Sequence, residues 1–481
     1  MFATRRQFLG AAAAAASPAF LSGQAKDRPL NVLSIVCDQM RGDCLSFLGH
    51  PNVRTPNLDR LAAEGVTFER AFVNNPVCIP SRKSCFSGRY PHQHGSLTNR
   101  QKGFLGWDGS MLGHFAKAGY RTGWSGKNHT YEKEALGNLD FQSIRDREPF
   151  RAYNGTVPPH WHADAYWPEE DCYAELNTRA ALEFLDGSKG KSDPFFLHVS
   201  YFDPHPPYMA PAEYTSRYAA REMRLPKSAT AAEMSGRLEE YRHAFGLDRV
   251  TEADLLETMR YYYAQIEWGV DKQVGRLLRG LEERGMAQDT VVVFTADHGD
   301  FMGSHGLVRK GMFLYDALLH VPMLFRVPGG RQGARTRAFA QHTDLFPTLA
   351  DLAGAPAAPS DLPGRSLRRF VEGQEDDPHH VAYTSAGYGE LGETELNLPL
   401  NPREVKGEPR HSVVMDRNME PENRTAMART AEWKLVMTET RGPELYRMDG
   451  GVTESRNMAN EPAHADVRRK LEGKLADWWA W

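Results

Sequence analysis

The sequence predicts an α/β protein, with a large domain built on a mostly parallel central sheet flanked by helices and a small C-terminal antiparallel sheet carrying one helix. Three observations carry this. Continuous apolar runs of strand length, the kind buried on both faces of a parallel sheet, recur at Leu30–Cys37, Tyr120–Trp124, Pro194–Phe202 and Val291–Ala296. Helix patterns with start and stop signals lie between them, as parallel crossovers require. From about Glu375 the composition shifts toward Pro, Asn, Glu and Gly, and the strands legible there are short.

In chain order, residues 1–25 read as an export leader. Arg5-Arg6-Gln7-Phe8-Leu9 precedes the alanine run Ala11–Ala16 and a small-x-small site at Gly23-Gln24-Ala25. The apolar part is shorter than the ~20 residues of a membrane span, so stable membrane insertion is not expected. Twin arginines before a weakly apolar core point to the Tat machinery and a periplasmic or secreted protein, against the plainer reading of a basic tail. The large domain is expected over 26–374 and the small one over 375–481. Strand Leu30–Cys37 ends in Asp38-Gln39. A helix follows over Thr55–Gly65, with Thr55 as N-cap, Pro56 at the first position and Gly65 as C-cap. Helix Ser110–Gly119 leads to strand Tyr120–Trp124 and to Gly126-Lys127-Asn128-His129. Asp140–Cys172, with His160, Trp161, His162 and Trp167, reads as a substrate-side loop.

Strand Pro194–Phe202 runs into Asp203-Pro204-His205-Pro206-Pro207-Tyr208, where prolines hold the backbone about His205 extended. Ala210–Val250 reads as a lid. Thr251–Gly285 is expected as one long capped helix with Ile266, Val270, Val274, Leu277, Leu278 and Leu281 on one stripe. Val291–Ala296 ends in Asp297-His298-Gly299-Asp300; Gly303-Ser304-His305-Gly306, Arg309-Lys310-Gly311 and strand Val321–Val327 follow. Gly387–Pro409 reads as a loop walling a pocket, Thr430–Met437 and Leu445–Met448 as strands, and Pro462–Trp479 as a closing helix.

Composition is that of a soluble protein, 41% hydrophobic and 25% charged, and a formal charge of -4 gives no basic excess for a nucleic-acid partner. The five cysteines are an odd number; with Cys78 set aside, Cys37/Cys44 and Cys85/Cys172 are candidate pairs that spacing alone does not decide.

The candidate chemistry lies at the strand ends, where open α/β sheets collect ligands. Taken singly, each residue has a plainer reading: Asp38 as a turn residue, Lys127 and His129 as solvated surface, His305 as a structural hydrogen-bonding histidine, Cys78 as a buried turn cysteine. Together they form a constellation. Pro80 sets the first turn of a helix, which puts Cys78 just outside a helix N-terminus that favours negative charge, with Arg82 one turn along the same face. A nucleophile beside a fixed cation suits attack on an anionic ester.

Cys78-Ile79-Pro80-Ser81-Arg82, followed by Ser87-Gly88-Arg89, resembles the signature of formylglycine-dependent type I sulfatases in the alkaline phosphatase superfamily. The resemblance continues through Asp344-Leu345-Phe346-Pro347-Thr348-Leu349, Gly364-Arg365-Ser366-Leu367, Glu444-Leu445-Tyr446-Arg447-Met448-Asp449 and Ser455-Arg456-Asn457-Met458-Ala459. It implies an alkaline-phosphatase-like catalytic domain and a Cys78 oxidised to formylglycine (3-oxoalanine) by the formylglycine-generating enzyme. The aldehyde hydrate then supplies one hydroxyl to attack sulfur and a second whose deprotonation expels sulfate. The resemblance further implies a divalent metal on Asp38, Gln39, Asp297, His298 and the modified Cys78. That donor set suits Ca²⁺ first and also fits Mn²⁺ or Mg²⁺. Arg82, Lys127 and Lys310 would neutralise the equatorial oxygens and His129 would take the second hydroxyl's proton. His205 with Lys310 would serve the leaving alcohol, and Lys127, His205, Lys310 and His305 would bind substrate. Gln39 stands where many members have aspartate and His298 where many have asparagine, a pairing similar to that of choline sulfatases and phosphonate monoester hydrolases. Ser87 replaces the commoner threonine and keeps the hydroxyl. The expected activity is therefore hydrolysis of a sulfate monoester, on a sulfated saccharide or an aryl or alkyl sulfate (an arylsulfatase-type reaction). Phosphonate monoester or phosphodiester hydrolysis is the alternative, and a non-catalytic glycan-binding protein the remote one.

Overall fold

The structure is a computed structural model that describes residues 28–99, 103–145, 162–164, 168–226, 238–239, 241–242, 247, 250–374, 380–387, 424–439, 441–448 and 454–479. The leader, His160, Trp161, Trp167, part of the lid and nearly all of the expected pocket-wall loop lie outside the described residues.

Among the described residues fourteen strands are found in chain order: β1 Asn31–Cys37, β2 Val66–Phe72, β3 Arg121–Gly126, β4 Phe141–Ile144, β5 His162–Asp164, β6 Phe195–Ser200, β7 Tyr208–Ala210, β8 Thr290–Ala296, β9 Met323–Arg326, β10 Ala334–Gln341, β11 Ala382–Ala386, β12 Thr425–Arg429, β13 Trp433–Thr438 and β14 Arg441–Arg447. Eight form the main sheet in the order β10-β2-β9-β8-β1-β6-β3-β4, and β9 alone runs against its neighbours. The central strands are apolar because both faces are covered. In β6, Phe195 meets Phe184 of the Tyr173–Asp186 helix, and the next residue, Phe196, meets Phe115 of the Met111–Lys117 helix on the other side. β11-β12-β13-β14 form the second, antiparallel sheet. Its Met427 and Val436 join the main core, while Ala426, Ala428 and Leu435 pack on Leu471 and Leu475 of the Ala465–Trp478 helix.

Several expectations change in detail. Thr55 does not cap the Pro56–Ala63 helix with its side chain. The Asp271 carboxylate accepts instead from the amides of Asn57 (3.0 Å) and Leu58 (2.8 Å). Gly65 is no left-handed C-cap; a β-carbon there would lie 2.1 Å from the carbonyl oxygen of Phe325. The long helix is Glu252–Gln265 and Lys272–Glu283 joined by a π-helical segment, Ile266–Asp271, and all six residues of its predicted stripe are fully buried. Thr251 caps its start reciprocally with Asp254. The proline-rich segment after β6 is a turn rather than extended backbone, with Asp203–Pro204 and Pro206–Pro207 both cis. The expected strand at Thr430–Met437 is β13, which begins at Trp433 after a turn from β12. All five cysteines are buried and free, so neither candidate disulfide forms: Cys37 points its thiol to Met40 and Thr295, Cys172 to Pro168. Among the described residues no helix is long and apolar enough to cross a membrane.

Candidate active site

β1, β3, β6 and β8 are mutually parallel, so their carboxyl ends share one edge of the sheet. Pairing of Cys37 with Ala296 sets Asp38 beside Asp297, and the amide of Asp297 donates to Cys37 O at 3.0 Å. Pairing of Gly126 with Ser200 sets Lys127 beside the turn that carries His205. β2 points the same way and delivers the chain to the Cys78–Ser87 helix, whose first residue is Cys78.

These ends converge on Cys78. Its Sγ lies 2.8 Å from Lys310 Nζ, 3.3 Å from His298 Nε2 and 3.8 Å from both Lys127 Nζ and Asp38 Oδ1. Arg82 donates Nε to Asp297 Oδ2 (2.7 Å), Nη2 to Asp38 Oδ2 (3.3 Å) and Nη1 to Ser200 Oγ (2.7 Å). Its charge therefore spans the two carboxylates rather than standing free. Lys127 donates to Asp38 Oδ2 and lies over the Phe202 ring at 4.8 Å. His298 donates Nδ1–H to Gly299 O (2.9 Å), which leaves Nε2 with its lone pair facing Asp38 Oδ1 and Asp297 Oδ1, both at 3.6 Å.

One ligand atom each from Asp38, Cys78, Asp297 and His298 lies within 4.8 Å of all the others, and every one of these residues is buried. Gln39 adds an independent sign that the set fits a cation: its Oε1 is buried and has no hydrogen-bond partner. Gln39 also adopts φ +72°, a left-handed conformation costly for a side-chain-bearing residue, which interrupts the strand's alternation so that Asp38 and Gln39 both stand at the sheet edge. Its amide donates to Asp297 Oδ1 (3.0 Å), and its carbonyl accepts from the Tyr262 hydroxyl (2.9 Å). Oxygen donors with a single imidazole suit a hard divalent ion.

Burial works against ionisation of Asp38, but Lys127 and Lys310 outweigh it and hold the carboxyl well below its usual range. Burial and Asp38 likewise oppose ionisation of Cys78, and Lys127, Lys310 and His298 prevail, so the thiol sits well below its ordinary value. Burial, reinforced by Lys127, depresses His129, whose Nδ1 is buried without a partner. Burial, reinforced by Lys310, pushes His205 well down, and Nδ1 of that ring lies 2.7 Å from Pro206 O.

The structure thus gathers Asp38, Gln39, Cys78, Arg82, Lys127, His298, Asp297 and Lys310 directly, with His129 and His205 at their border. His305 is placed elsewhere: its ring packs against Tyr315 (centroids 4.7 Å apart) and Phe301, and no contact with the Cys78 group is found among the described residues. Residues that sequence reasoning passed over include Ser200, Tyr262, Gln265 and Asp300. Gln265 donates to Asp203 Oδ1 (2.9 Å) and His205 O (3.3 Å), and so fastens the His205 turn. Only Asp300 carried a signal, its place in the Asp297-His298-Gly299-Asp300 cluster.

This sheet, with polar side chains gathered beyond its carboxyl edge around the helix-borne Cys78, belongs to a hydrolase of the alkaline phosphatase superfamily. The family model described as Sulfatase matches residues 30–355, and the chain belongs to that family: it is a sulfuric ester hydrolase. It is 28% identical to an arylsulfatase of Clostridium perfringens, covering 75% of this chain and 82% of that one. It is 27% identical to the multifunctional alkaline phosphatase superfamily protein PehA of Trinickia caryophylli, over 93% and 95% of the two chains. Among solved structures, the phosphonate monoester hydrolase from Silicibacter pomeroyi superposes with a TM-score of 0.74 at 26% identity, covering 93% of this chain and 94% of that one. Membership of the family implies a metal and a formylglycine, and the buried Asp/Cys/His group is a metal-like site.

Proposed function

We propose that the chain hydrolyses a sulfate monoester, of a sulfated saccharide or an aryl or alkyl alcohol, with the side chain of position 78 as nucleophile after conversion to formylglycine. The observation that carries this is the packing of Cys78 against Lys127 and Lys310 at the open edge of the sheet, where an anionic ester would be held. The hydrated aldehyde supplies an attacking hydroxyl and, through its second hydroxyl, a way to release sulfate without attack by water. Asp38, Gln39, Asp297 and His298 would hold a divalent ion, Ca²⁺ before Mn²⁺ or Mg²⁺, which when bound supplies Lewis-acid polarisation of the ester. Lys127 and Lys310 offset negative charge on the sulfate oxygens, and Arg82 fixes the carboxylates. His129, held neutral, accepts the second hydroxyl's proton. Lys310 donates from Nζ toward the leaving oxygen, and His205 assists once the substrate's charge draws a second proton onto its ring. We further propose export through the twin-arginine leader, which fractionation of expressing cells tests.

A second reading, phosphonate monoester or phosphodiester hydrolysis at the same site, is supported by Gln39 and His298 and by the likeness to the Silicibacter pomeroyi enzyme. Kinetics on a sulfate ester and a phosphodiester of the same phenol separate the two: a kcat/KM favouring the sulfate supports the first, the reverse order the second. The mass of the tryptic peptide holding Cys78 tests the modification, and an unmodified thiol in active enzyme overturns it.

A further inference from the structure

We propose that Asp300 is the positioning residue that aims Gln39 at the metal. The inference rests on the reading of Gln39 as a ligand and adds what makes it one. Gln39 Nε2 donates to Asp300 Oδ2 at 2.5 Å, and the Tyr208 hydroxyl donates to the same oxygen at 2.6 Å. The other oxygen, Oδ1, accepts from the amides of Met302 and Arg309, both at 2.8 Å. Four donors thus meet one fully buried carboxylate, which accepts through both of its oxygens.

An amide side chain is nearly symmetric in shape, and nothing steric stops Gln39 from turning its NH₂ toward the cation site. Asp300 removes that freedom. It takes the NH₂ group and leaves Oε1 as the end without a protein partner, which is the end a cation needs. In a buried site an unpaired carbonyl oxygen is costly unless a ligand meets it. The backbone of Gln39 is clamped as well, by Asp297 Oδ1 at its amide and by Tyr262 at its carbonyl, so rotation of the amide group is the main freedom left to control.

Asp300→Asn tests this, because it places an NH₂ where an acceptor stood. Gln39 can then regain its hydrogen bond only by turning Oε1 toward position 300 and its own NH₂ toward the cation. Gln39→Glu in the same chain restores complementarity, since a carboxylate can accept from the new amide and still ligate. The full chain, freed of metal by chelation, is titrated calorimetrically with CaCl₂ and separately with MnCl₂, and far-UV circular dichroism checks the fold. The expected results are a loss of affinity of about 10–100-fold in D300N, recovery in Q39E/D300N, and weaker binding than wild type in Q39E alone despite its added charge. Wild-type affinity in D300N, or no recovery in the double variant, overturns the proposal. Should D300N not fold, Q39E decides: tighter binding than wild type overturns it. Gln39→Leu separates the premise from the inference. Unchanged affinity there means Gln39 is no ligand, whereas weakened binding there with unchanged D300N means the orientation has another cause.

Discussion

Two clusters of buried charge among the described residues differ in how their charges balance. Where the second sheet meets the main domain, Lys434 Nζ donates to Asp316 Oδ1 (2.7 Å) and Glu454 Oε1 (2.6 Å), Arg429 reaches Asp316 Oδ2 at 3.3 Å, and the amide of Asp316 closes on Glu454 Oε2 at 2.8 Å. Two carboxylates and two cations balance one another in charge. At the sheet edge three cations, Arg82, Lys127 and Lys310, face two carboxylates, Asp38 and Asp297, with Cys78 and the unmatched Gln39 Oε1 among them. The first cluster is a joint; the second, on the function proposed above, is completed by a cation and an anionic ester. Burial alone therefore does not mark a functional site; what sets the second cluster apart is its excess of cations over carboxylates around Cys78 and the bare Gln39 oxygen.

Changes that break each cluster should separate activity from stability. Cys78→Ala removes the nucleophile and should lower kcat on an aryl sulfate by on the order of 10⁴-fold or more, while the midpoint of denaturant unfolding stays put. Lys434→Met leaves Glu454 without a cation and Asp316 with Arg429 alone, and should cost about 3–5 kcal/mol of stability in urea, with kcat of the folded enzyme little changed. Lys127→Ala should do the opposite, removing about 3 kcal/mol of transition-state stabilisation with a smaller effect on unfolding. Chelation should abolish turnover and added Ca²⁺ or Mn²⁺ restore it, whereas neither treatment should touch the Lys434 joint. The smallest effect belongs to His305, which burial, then Arg41 and Lys434, push down to about 4. The unfolded ring binds its proton at about 6.5. Between pH 4 and 6.5 the unfolded chain thus holds more protons than the folded one, and stability rises with pH across that window. His305→Gln should flatten that rise in pH-dependent unfolding and leave kcat/KM close to wild type; a large loss of kcat/KM would return His305 to the substrate.

Much of the site was legible because parallel strands advertise themselves. A buried run such as Val291–Ala296 carries no charged residue, so the abrupt Asp297-His298 at its end stands out, as do Asp38-Gln39 and Lys127. What escaped reading was carried by contacts distant in sequence. β12, Thr-Ala-Met-Ala-Arg, has one β-branched residue in five and is a strand because small side chains fit between the main core and the last helix. Asp271 caps a helix more than two hundred residues away, and Tyr208 reaches Asp300 from another strand. No local pattern announces such partners. Nor did spacing exclude the two disulfides; only the separate burial of each thiol did.

The π-helical segment Ile266–Asp271 has a consequence for how mutations spread. A π turn holds one residue more than an α turn, so it sets the rotational phase between Tyr262 and Gln265 on one side and the Val274–Leu281 stripe on the other. Tyr262 grips the Gln39 carbonyl and Gln265 grips the His205 turn. Deleting a single residue from that segment would swing both grips by about 100°, and two strand ends would lose their alignment without any change to a residue of the reaction itself.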